Sequence, residues 1–97
     1  MGEDMLNFEW NSEKEFINIC KHGADFWTAL QVFDDLDRCI IEDLKHREFE
    51  ERHLCIGKVR GRILTVRFVY REGNVRIIGA GYWRKGKQLY EKKKKST

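Results

Sequence analysis

The 97-residue sequence has no proline, only three cysteines and no long apolar run. No stretch approaches the ~18 to 20 consecutive apolar residues that a membrane-spanning helix needs. The opening residues, from Met1 to Asp4, have neither the cationic start nor the apolar stretch of a signal peptide. Met1-Gly2 begins a myristoylation motif, but Leu6 stands where that motif needs serine or threonine. The sequence therefore predicts a protein of the cytoplasm that does not contact a membrane.

The cysteines are too few and too scattered to indicate a metal or disulfide site. Cys20, Cys39 and Cys55 lie apart, are odd in number and stand beside apolar residues, as buried thiols usually do. One alternative combines His53 and Cys55, which would point to the same side of a strand, with Cys39 on the neighbouring strand. Because there is no Cys-x-x-Cys pair, we expect two core thiols, a surface histidine, and no metal or other cofactor.

The motifs of nucleotide hydrolysis are also missing. The run Gly79-Ala80-Gly81 fits neither the Walker pattern nor the dinucleotide-binding pattern. No paired carboxylates stand out for acid–base chemistry. These absences argue against an enzyme that hydrolyses nucleotides.

The charges that are present are divided along the chain. Residues 1–51 carry 14 acidic and 5 basic side chains, a net charge of −9, whereas residues 52–97 carry 2 acidic and 14 basic ones, a net charge of +12. The two halves can neutralise each other in part through solvated ion pairs, but an excess of positive charge must remain on the surface. The second half is therefore predicted to bind an anion, and RNA is the anion that we expect.

Hydrophobic periodicity predicts one short strand and two helices in the first third of the chain, at 6–10, 12–22 and 26–33. Asn11 or Ser12 supplies the N-cap of the first helix, and Ser12 forms a capping box with Glu15. Gly23 ends that helix. Three residues of the first helix form an apolar stripe, which predicts that a sheet covers it: Phe16, Ile17 and Cys20.

The rest of the chain alternates with a period of two and is rich in β-branched residues, which predicts strands. Four strands are expected, at about 38–43, 53–59, 62–70 and 74–81. Short connections at Arg60-Gly61 and Glu72-Gly73-Asn74 make the last three an antiparallel meander. Residues 44–52 are expected to be an exposed loop or a helical turn, and a basic helix begins near Trp83.

These elements predict an α+β fold in a single domain over residues 1–97. Two N-terminal helices pack on a mainly antiparallel sheet, and a short C-terminal helix follows it. The ordered core is expected at about 6–91. Residues 92–97 are expected to form a disordered basic tail.

The last strands and the segment after them predict a basic surface with interleaved aromatic side chains. Alternation turns Leu64, Val66 and Phe68 to the core and Arg67 to the opposite side, where Arg76 of the next strand can approach it. Metal-free RNA cleavage needs a group that takes the 2′-hydroxyl proton, cations beside the phosphorane and a proton donor for the leaving oxygen. Candidates for these catalytic roles are Lys21, His22, Arg67, Arg76 and Tyr82. Candidates for RNA binding through charge and stacking are Arg62, Tyr70, Trp83, Arg84, Lys85 and Lys87.

Each candidate also has a purely structural interpretation. The strand arginines can pair with acids of the first half as solvated sheet residues. Tyr70, Tyr82 and Trp83 can close the end of the core. Lys21 and His22 stand at the C-terminus of a helix, where the helix dipole favours cations whatever else they do.

Taken together, these features resemble the BrnT family of type II toxins, small ribonucleases with a RelE-like fold. The resemblance covers about residues 7–91. Its first part consists of Phe8-Glu9-Trp10, Lys14, Asn18, Lys21-His22-Gly23, Phe26, Ala29 and Val32-Phe33-Asp34. Its second part consists of Glu51-Arg52, Ile56-Gly57, the strand from Leu64 to Tyr70, Arg76-Ile77-Ile78 and Tyr90-Glu91.

The resemblance implies a RelE-like sheet and a metal-independent toxin that cleaves RNA and inhibits translation. It also implies a cognate BrnA-like antitoxin that neutralises the toxin in a hetero-oligomer and makes the only contact with DNA. The basic face would then bind RNA when free and acidic antitoxin residues when inhibited.

One stretch departs from the family pattern. Many members have Ser-Ala-Arg after the two isoleucines and a glutamate six residues beyond that arginine, where this chain has Gly79-Ala80-Gly81 and Lys87. Arg84, Lys85 or Lys87 can substitute for the missing arginine. The first alternative is a non-catalytic member that keeps the fold and the antitoxin surface as a corepressor or RNA-binding module. The second is a general single-stranded nucleic-acid binder unrelated to toxins.

Overall fold

The computed structural model describes residues 7–46 and 50–96 and has an α+β fold. Its helices and strands, in chain order, are β1 (Phe8–Glu9), α1 (Ser12–His22), α2 (Phe26–Gln31), β2 (Cys39–Glu42), β3 (His53–Val59), β4 (Arg62–Arg71), β5 (Asn74–Gly81) and α3 (Arg84–Lys95). Short 3-10 helices cover Val32–Asp34 and Leu44–His46. The predicted order is confirmed: two helices precede the main sheet and one follows it. Residue 6 of the predicted first strand, residues 47–49 of the predicted loop and residue 97 lie outside the described residues.

The five described strands form one sheet in the order β1-β5-β4-β3-β2. The meander of β3, β4 and β5 is antiparallel, as predicted, and β1 adds a parallel pair at the β5 edge. Both hairpins turn through two residues with positive φ, Arg60-Gly61 and Glu72-Gly73, which is the backbone of a type I′ turn. A bulge between Arg67 and Phe68 shifts the β4–β5 register, so that Arg67 lies opposite Gly79.

Apolar side chains pack on both faces of the sheet. On one face, α2 and the residue after it bring Phe26, Ala29 and Val32 against the strands. The predicted core residues Leu64, Val66 and Phe68 lie on this face, and all three are fully buried. On the other face, Tyr90 of α3 packs with Cys39, Ile56 and Ile63. The core therefore lies on both sides of β3 and β4.

The α3 helix lies directly on β4, because position 86 is glycine. A Cβ on Gly86 would overlap Thr65 Oγ1, so only glycine lets the first turn approach the sheet this closely. The approach buries Thr65 Oγ1 without a hydrogen-bond partner among the described residues. The helix continues to Lys95, beyond residue 91, where the ordered core was expected to end. Lys94 forms an ion pair with Asp37 at 3.3 Å, so one acidic residue of the first half contacts the cationic last turn.

The start and end of α1 are set by Asn11 and Gly23. Asn11 Oδ1 accepts a hydrogen bond from the Lys14 N–H at 3.0 Å, so Asn11 is the N-cap. Gly23 ends the helix in the left-handed conformation with φ 67°, as predicted. The predicted capping box is wrong, because Glu15 Oε2 accepts from the Phe26 N–H at 2.9 Å and thereby caps the start of α2.

The apolar stripe of α1 is not covered by the sheet. Phe16 is 67% exposed, Ile17 is 52% exposed, and Cys20 is also exposed, so the predicted burial of this stripe is wrong. The buried residue of the helix is Asn18. Its Nδ2 donates to the carbonyls of Ala24 at 2.8 Å and Ala80 at 2.9 Å, and its Oδ1 accepts from the Ala80 N–H at 3.2 Å. These hydrogen bonds to backbone turn the polar side of α1 toward β5 and the apolar side outward.

The cysteines do not form a site. Cys39 and Cys55 are buried, as predicted, but they belong to the packing clusters on opposite faces of the sheet. Burial raises the pKa of the Cys55 thiol to about 12. His53 is half-buried and stacks on Phe68, with ring centres 5.4 Å apart, so it is less exposed than predicted. Within residues 7–46 and 50–96 there is no cluster of side chains suited to hold a metal ion. No helix in these ranges is long and apolar enough to span a bilayer.

Candidate active site

The centre of the candidate site is Arg67, which projects from the middle of β4 on the α3 side of the sheet. The β4 alternation that buries Val66 and Phe68 on one face turns Arg67 to the other, where it is half-buried. Its guanidinium carbon lies 5.0 Å from the centre of the Trp83 ring. This is within the range of a cation–π contact, which restricts the orientation of the arginine.

Trp83 links Arg67 to α1. Its ring centre lies 5.1 Å from that of His22, with the two planes at 73°, so one indole contacts both the histidine and the arginine. Position 81 must be glycine for this arrangement, because a Cβ there would lie 2.5 to 2.8 Å from three atoms of the indole. Gly81 therefore accommodates Trp83.

A depression of about 290 Å³ lies between α1 and the sheet beside this aromatic contact. Its basic lining comes from α1 and β4: Lys14, Lys21, His22 and Arg67. Trp83 and Gly79 complete the side toward β5. We call this depression the cationic cleft. It can hold a phosphate with positive charge on two sides and an imidazole beside it.

Lys14 is the basic residue of the cleft for which the sequence predicted no role. The signal was present in the helical spacing, because Lys14, Asn18 and Lys21 follow one another at i, i+4 and i+7 and so share a face. Since Asn18 is the residue that α1 buries, its helical neighbours must flank the sheet. The apolar stripe instead indicated the opposite face of α1 as the inner one, so Lys14 was not assigned to the cleft.

The first turn of α3 adds further positive charge. Trp83 occupies the N-cap position without a side-chain hydrogen bond, and the residues that follow are basic. Arg84, Lys85 and Lys87 are all exposed. Cations at the positive end of a helix dipole are unfavourable, and an anion bound nearby would relieve the repulsion. The predicted RNA-binding residues of this segment thus lie where an anion is favoured.

Arg76 is held by an ion pair away from the cleft. It lies opposite Val69 in the sheet register, and its guanidinium donates to Glu9 Oε2 at 3.0 Å. Hydrogen bonds from Arg76 and Asn74 hold the pKa of the Glu9 carboxyl below its usual value. The structural alternative for Arg76, pairing with an acid of the first half, is the observed arrangement. A catalytic role for Arg76 would require this pair to open.

Three aromatic and basic candidates also lie elsewhere. Tyr82 packs against the core on the α2 side, with the guanidinium carbon of Arg62 3.7 Å from its ring centre. Tyr70 is 53% exposed at the far end of β4, where its ring contacts Phe68 and His53. The structure therefore brings Lys21, His22, Arg67 and Trp83 together and leaves Arg62, Tyr70, Arg76 and Tyr82 apart from them.

The comparison with protein families agrees with the resemblance seen in the sequence. The family model described as the ribonuclease toxin BrnT of type II toxin–antitoxin systems matches residues 10–86. No curated protein matches the chain. The matched range contains every residue of the cationic cleft, from Lys14 to Trp83, together with α2 and strands β2 to β5. The chain belongs to the BrnT family of ribonuclease toxins of type II toxin–antitoxin systems.

Proposed function

We propose that this protein is a metal-independent endoribonuclease that cleaves RNA and thereby inhibits translation. The observation that carries the proposal is the convergence of Arg67 with Lys14, Lys21 and His22 around one cleft beside an aromatic ring. Family membership supplies the substrate class, RNA. The cationic lining favours a phosphate and repels a divalent cation, so positive charge on the phosphorane comes from the side chains themselves.

In this proposal, Arg67 binds the non-bridging oxygens of the scissile phosphate with its planar fork. An imidazole can accept and donate a proton near neutral pH, so His22 takes the proton of the 2′-hydroxyl as the 2′-oxygen attacks phosphorus. The bond from phosphorus to the 5′-oxygen breaks, and Lys21 or Lys14 donates a proton to that leaving oxygen. The products are a 2′,3′-cyclic phosphate and a free 5′-hydroxyl.

Trp83 orients both catalytic groups and offers a surface for the RNA. Its ring contacts His22 and Arg67, so the indole fixes the direction from which each approaches the phosphate. Base stacking on an aromatic side chain contributes roughly 1–3 kcal/mol and accepts any base. Arg84, Lys85 and Lys87 extend the positive surface along α3 and contact the backbone phosphates on either side.

The toxin is neutralised by a cognate BrnA-like antitoxin in a toxin–antitoxin hetero-oligomer in the cytoplasm. A type II toxin acts with a protein antitoxin, and acidic residues of that partner complement the cationic cleft. Inhibition then results from occlusion of Arg67 and its neighbours. DNA is contacted through the antitoxin.

The test is cleavage of a labelled single-stranded RNA by the purified protein in EDTA, with and without the antitoxin encoded beside it. Arg67→Ala is expected to lower kcat by about 100-fold or more, as loss of one preorganised charge stabiliser does. Arg71→Ala is the matched control, because Arg71 lies on the same strand but is exposed and pairs with Glu50. Equal activity of the two variants would contradict the assignment of Arg67.

Arg76→Ala tests the remaining arginine prediction in the same assay. The ion pair with Glu9 leads us to expect a much smaller loss than for Arg67→Ala. A loss as large as that of Arg67→Ala would bring Arg76 into the site.

A second candidate function is a non-catalytic corepressor that keeps the fold and the antitoxin surface. The observation in its favour is the indole of Trp83 packed over Gly81, where many family members carry an arginine. Intact RNA after incubation with a folded protein that binds its antitoxin would favour this candidate over the ribonuclease.

A further inference from the structure

A second depression adjoins Arg67 on the side away from α1. It has a volume of about 380 Å³ and lies between α3 and the strands β2 and β3. Arg67 and Trp83 line both this depression and the cationic cleft, so the two side chains form the boundary between them. We call the second depression the apolar groove. A ligand held by Arg67 can therefore extend into either space.

The apolar groove differs in chemistry from the cationic cleft. Its walls include Leu54 and Ile56 of β3, Ile41 of β2 and Leu89 of α3. These side chains belong to two adjacent strands and the helix that crosses them, and the close packing of Gly86 on Thr65 brings that helix into place.

The charged groups of the groove lie at its ends. Arg67 and Lys85 are near Trp83, and Glu42 and Asp43 are at the β2 end with Lys45. The volume lies within the roughly 300–1,000 Å³ typical of small-ligand sites. An apolar space with one cationic and aromatic end fits a ligand that is flat and uncharged in one part and anionic in the other.

We propose that the apolar groove binds the nucleobase of the nucleotide adjacent to the phosphate held by Arg67, an inference that rests on the proposed ribonuclease function. A base that is splayed out of its stack exposes an apolar face, which Ile41, Leu54 and Leu89 can cover.

The apolar walls favour a base over an acidic segment of the antitoxin as the occupant. An acidic peptide would bring charged carboxylates into a space lined by Ile41, Leu54 and Leu89, whereas a base carries no charge. The groove also connects directly to Arg67, so one nucleotide spans both without a gap. The experiment must therefore distinguish a bound base from a bound antitoxin segment.

The first measurement is an NMR titration of the full-length protein, with methyl groups labelled, by the four nucleoside 3′-monophosphates and by ribose 5-phosphate. Nucleotides are expected to shift the methyl signals of Leu54 and Leu89 and to bind about tenfold more tightly than ribose phosphate, through the added contacts of the base. Leu36, which is 94% exposed and outside the groove, is the internal control. Equal affinity for nucleotides and ribose phosphate would overturn the proposal.

The second measurement compares Leu89→Asp with Leu36→Asp in RNA cleavage. Leu89 is 38% exposed, so the variant is expected to fold, and the new carboxylate should raise the KM for RNA by about tenfold with little change in kcat. Leu36→Asp adds the same charge outside the groove and should leave both constants unchanged. A KM that rises equally in both variants would assign the effect to net charge and refute the base site.

The two measurements separate the failure of this inference from the failure of the proposed function. Nucleotide binding in the groove without RNA cleavage would support the base site and contradict the proposed catalytic function. RNA cleavage with an unchanged KM in Leu89→Asp would support the ribonuclease function and contradict the base site. Loss of antitoxin binding in Leu89→Asp, with kcat and KM for RNA unchanged, would show that the groove binds the antitoxin and would overturn the proposal.

Discussion

Replacing Asn18 with leucine tests whether one buried amide holds α1, and with it half of the cationic cleft, against the sheet. Leucine has a similar size but forms none of the three hydrogen bonds that Asn18 makes with Ala24 and Ala80. Both alanines are buried, with 1% and 0% exposure, so water does not readily replace the lost partners. At about 1 kcal/mol for each unsatisfied group, Asn18→Leu should lower the free energy of unfolding by about 3 kcal/mol.

The assay is urea unfolding followed by circular dichroism, together with the melting temperature. A loss of about 3 kcal/mol corresponds to a fall of roughly 12 to 24 °C in Tm for a domain of this size. Asn11→Ala is the matched control, because it removes a single exposed N-cap hydrogen bond and should lower stability by about 1 kcal/mol. If Asn18→Leu is no more destabilising than Asn11→Ala, the anchoring of α1 by Asn18 is refuted.

Two further predictions concern Asp35 and Gly81. Burial opposes ionisation of Asp35, but hydrogen bonds from Tyr90 Oη and the N–H groups of Lys58 and Asp37 outweigh it and lower the pKa of Asp35 below its ordinary 3.8. The ionised carboxylate therefore stabilises the fold fully above about pH 3.8, and this stabilisation is lost as the pH falls through the lowered pKa. The free energy of unfolding should consequently fall less on acidification in Asp35→Asn than in the parent. Gly81→Ala should displace Trp83 and lower kcat/KM for RNA by about tenfold, which corresponds to the loss of one stacked contact. Gly79→Ala is the control, because its new Cβ would lie 3.7 Å from Asn18 Oδ1, an ordinary contact that should be tolerated. Equal activity of the two alanine variants, or equal acid sensitivity of Asp35→Asn and the parent, would contradict these arguments.

Local sequence patterns predicted the sheet well, because strand alternation and turn chemistry are properties of neighbouring residues. The strands at 53–59 and 74–81 have the predicted bounds, and their register follows from two-residue turns whose type is set by Arg60-Gly61 and Glu72-Gly73. The inward direction of Leu64, Val66 and Phe68 follows from the same alternation. These features need no information from distant parts of the chain.

The orientation of α1 was not predictable from its own residues. Its apolar stripe indicated which side was hydrophobic, and hydrophobicity alone favours burying that side. The outcome depends instead on Asn18 meeting the backbone of Ala80, 62 residues away, at the position where β5 has small residues. A buried amide with three backbone partners fixes the rotation of the helix, and nothing near Asn18 in the sequence indicates those partners.

The same distinction between local and distant information explains the candidate site. Arg67 was identified from alternation within β4, whereas the pairing of Arg76 with Glu9 depends on the parallel alignment of β1 and β5. Tyr82 and Trp83 are adjacent in sequence, yet Tyr82 packs in the core on the α2 side and Trp83 contacts Arg67. Composition identified both residues as candidates, but it did not indicate that they would be separated.

The parallel pairing of β1 with β5 has a consequence for the chain during synthesis on the ribosome. Phe8 aligns with Val75, so the first strand finds its partner only after nearly all of the fold has been translated. Closing so long a segment is slow compared with forming the hairpins, and α1 is likewise anchored only when Ala80 is present. A nascent or prematurely released chain that lacks β5 therefore carries Lys21, His22 and Arg67 without the cleft that brings them together. Under the proposed function, such incomplete chains would not cleave RNA.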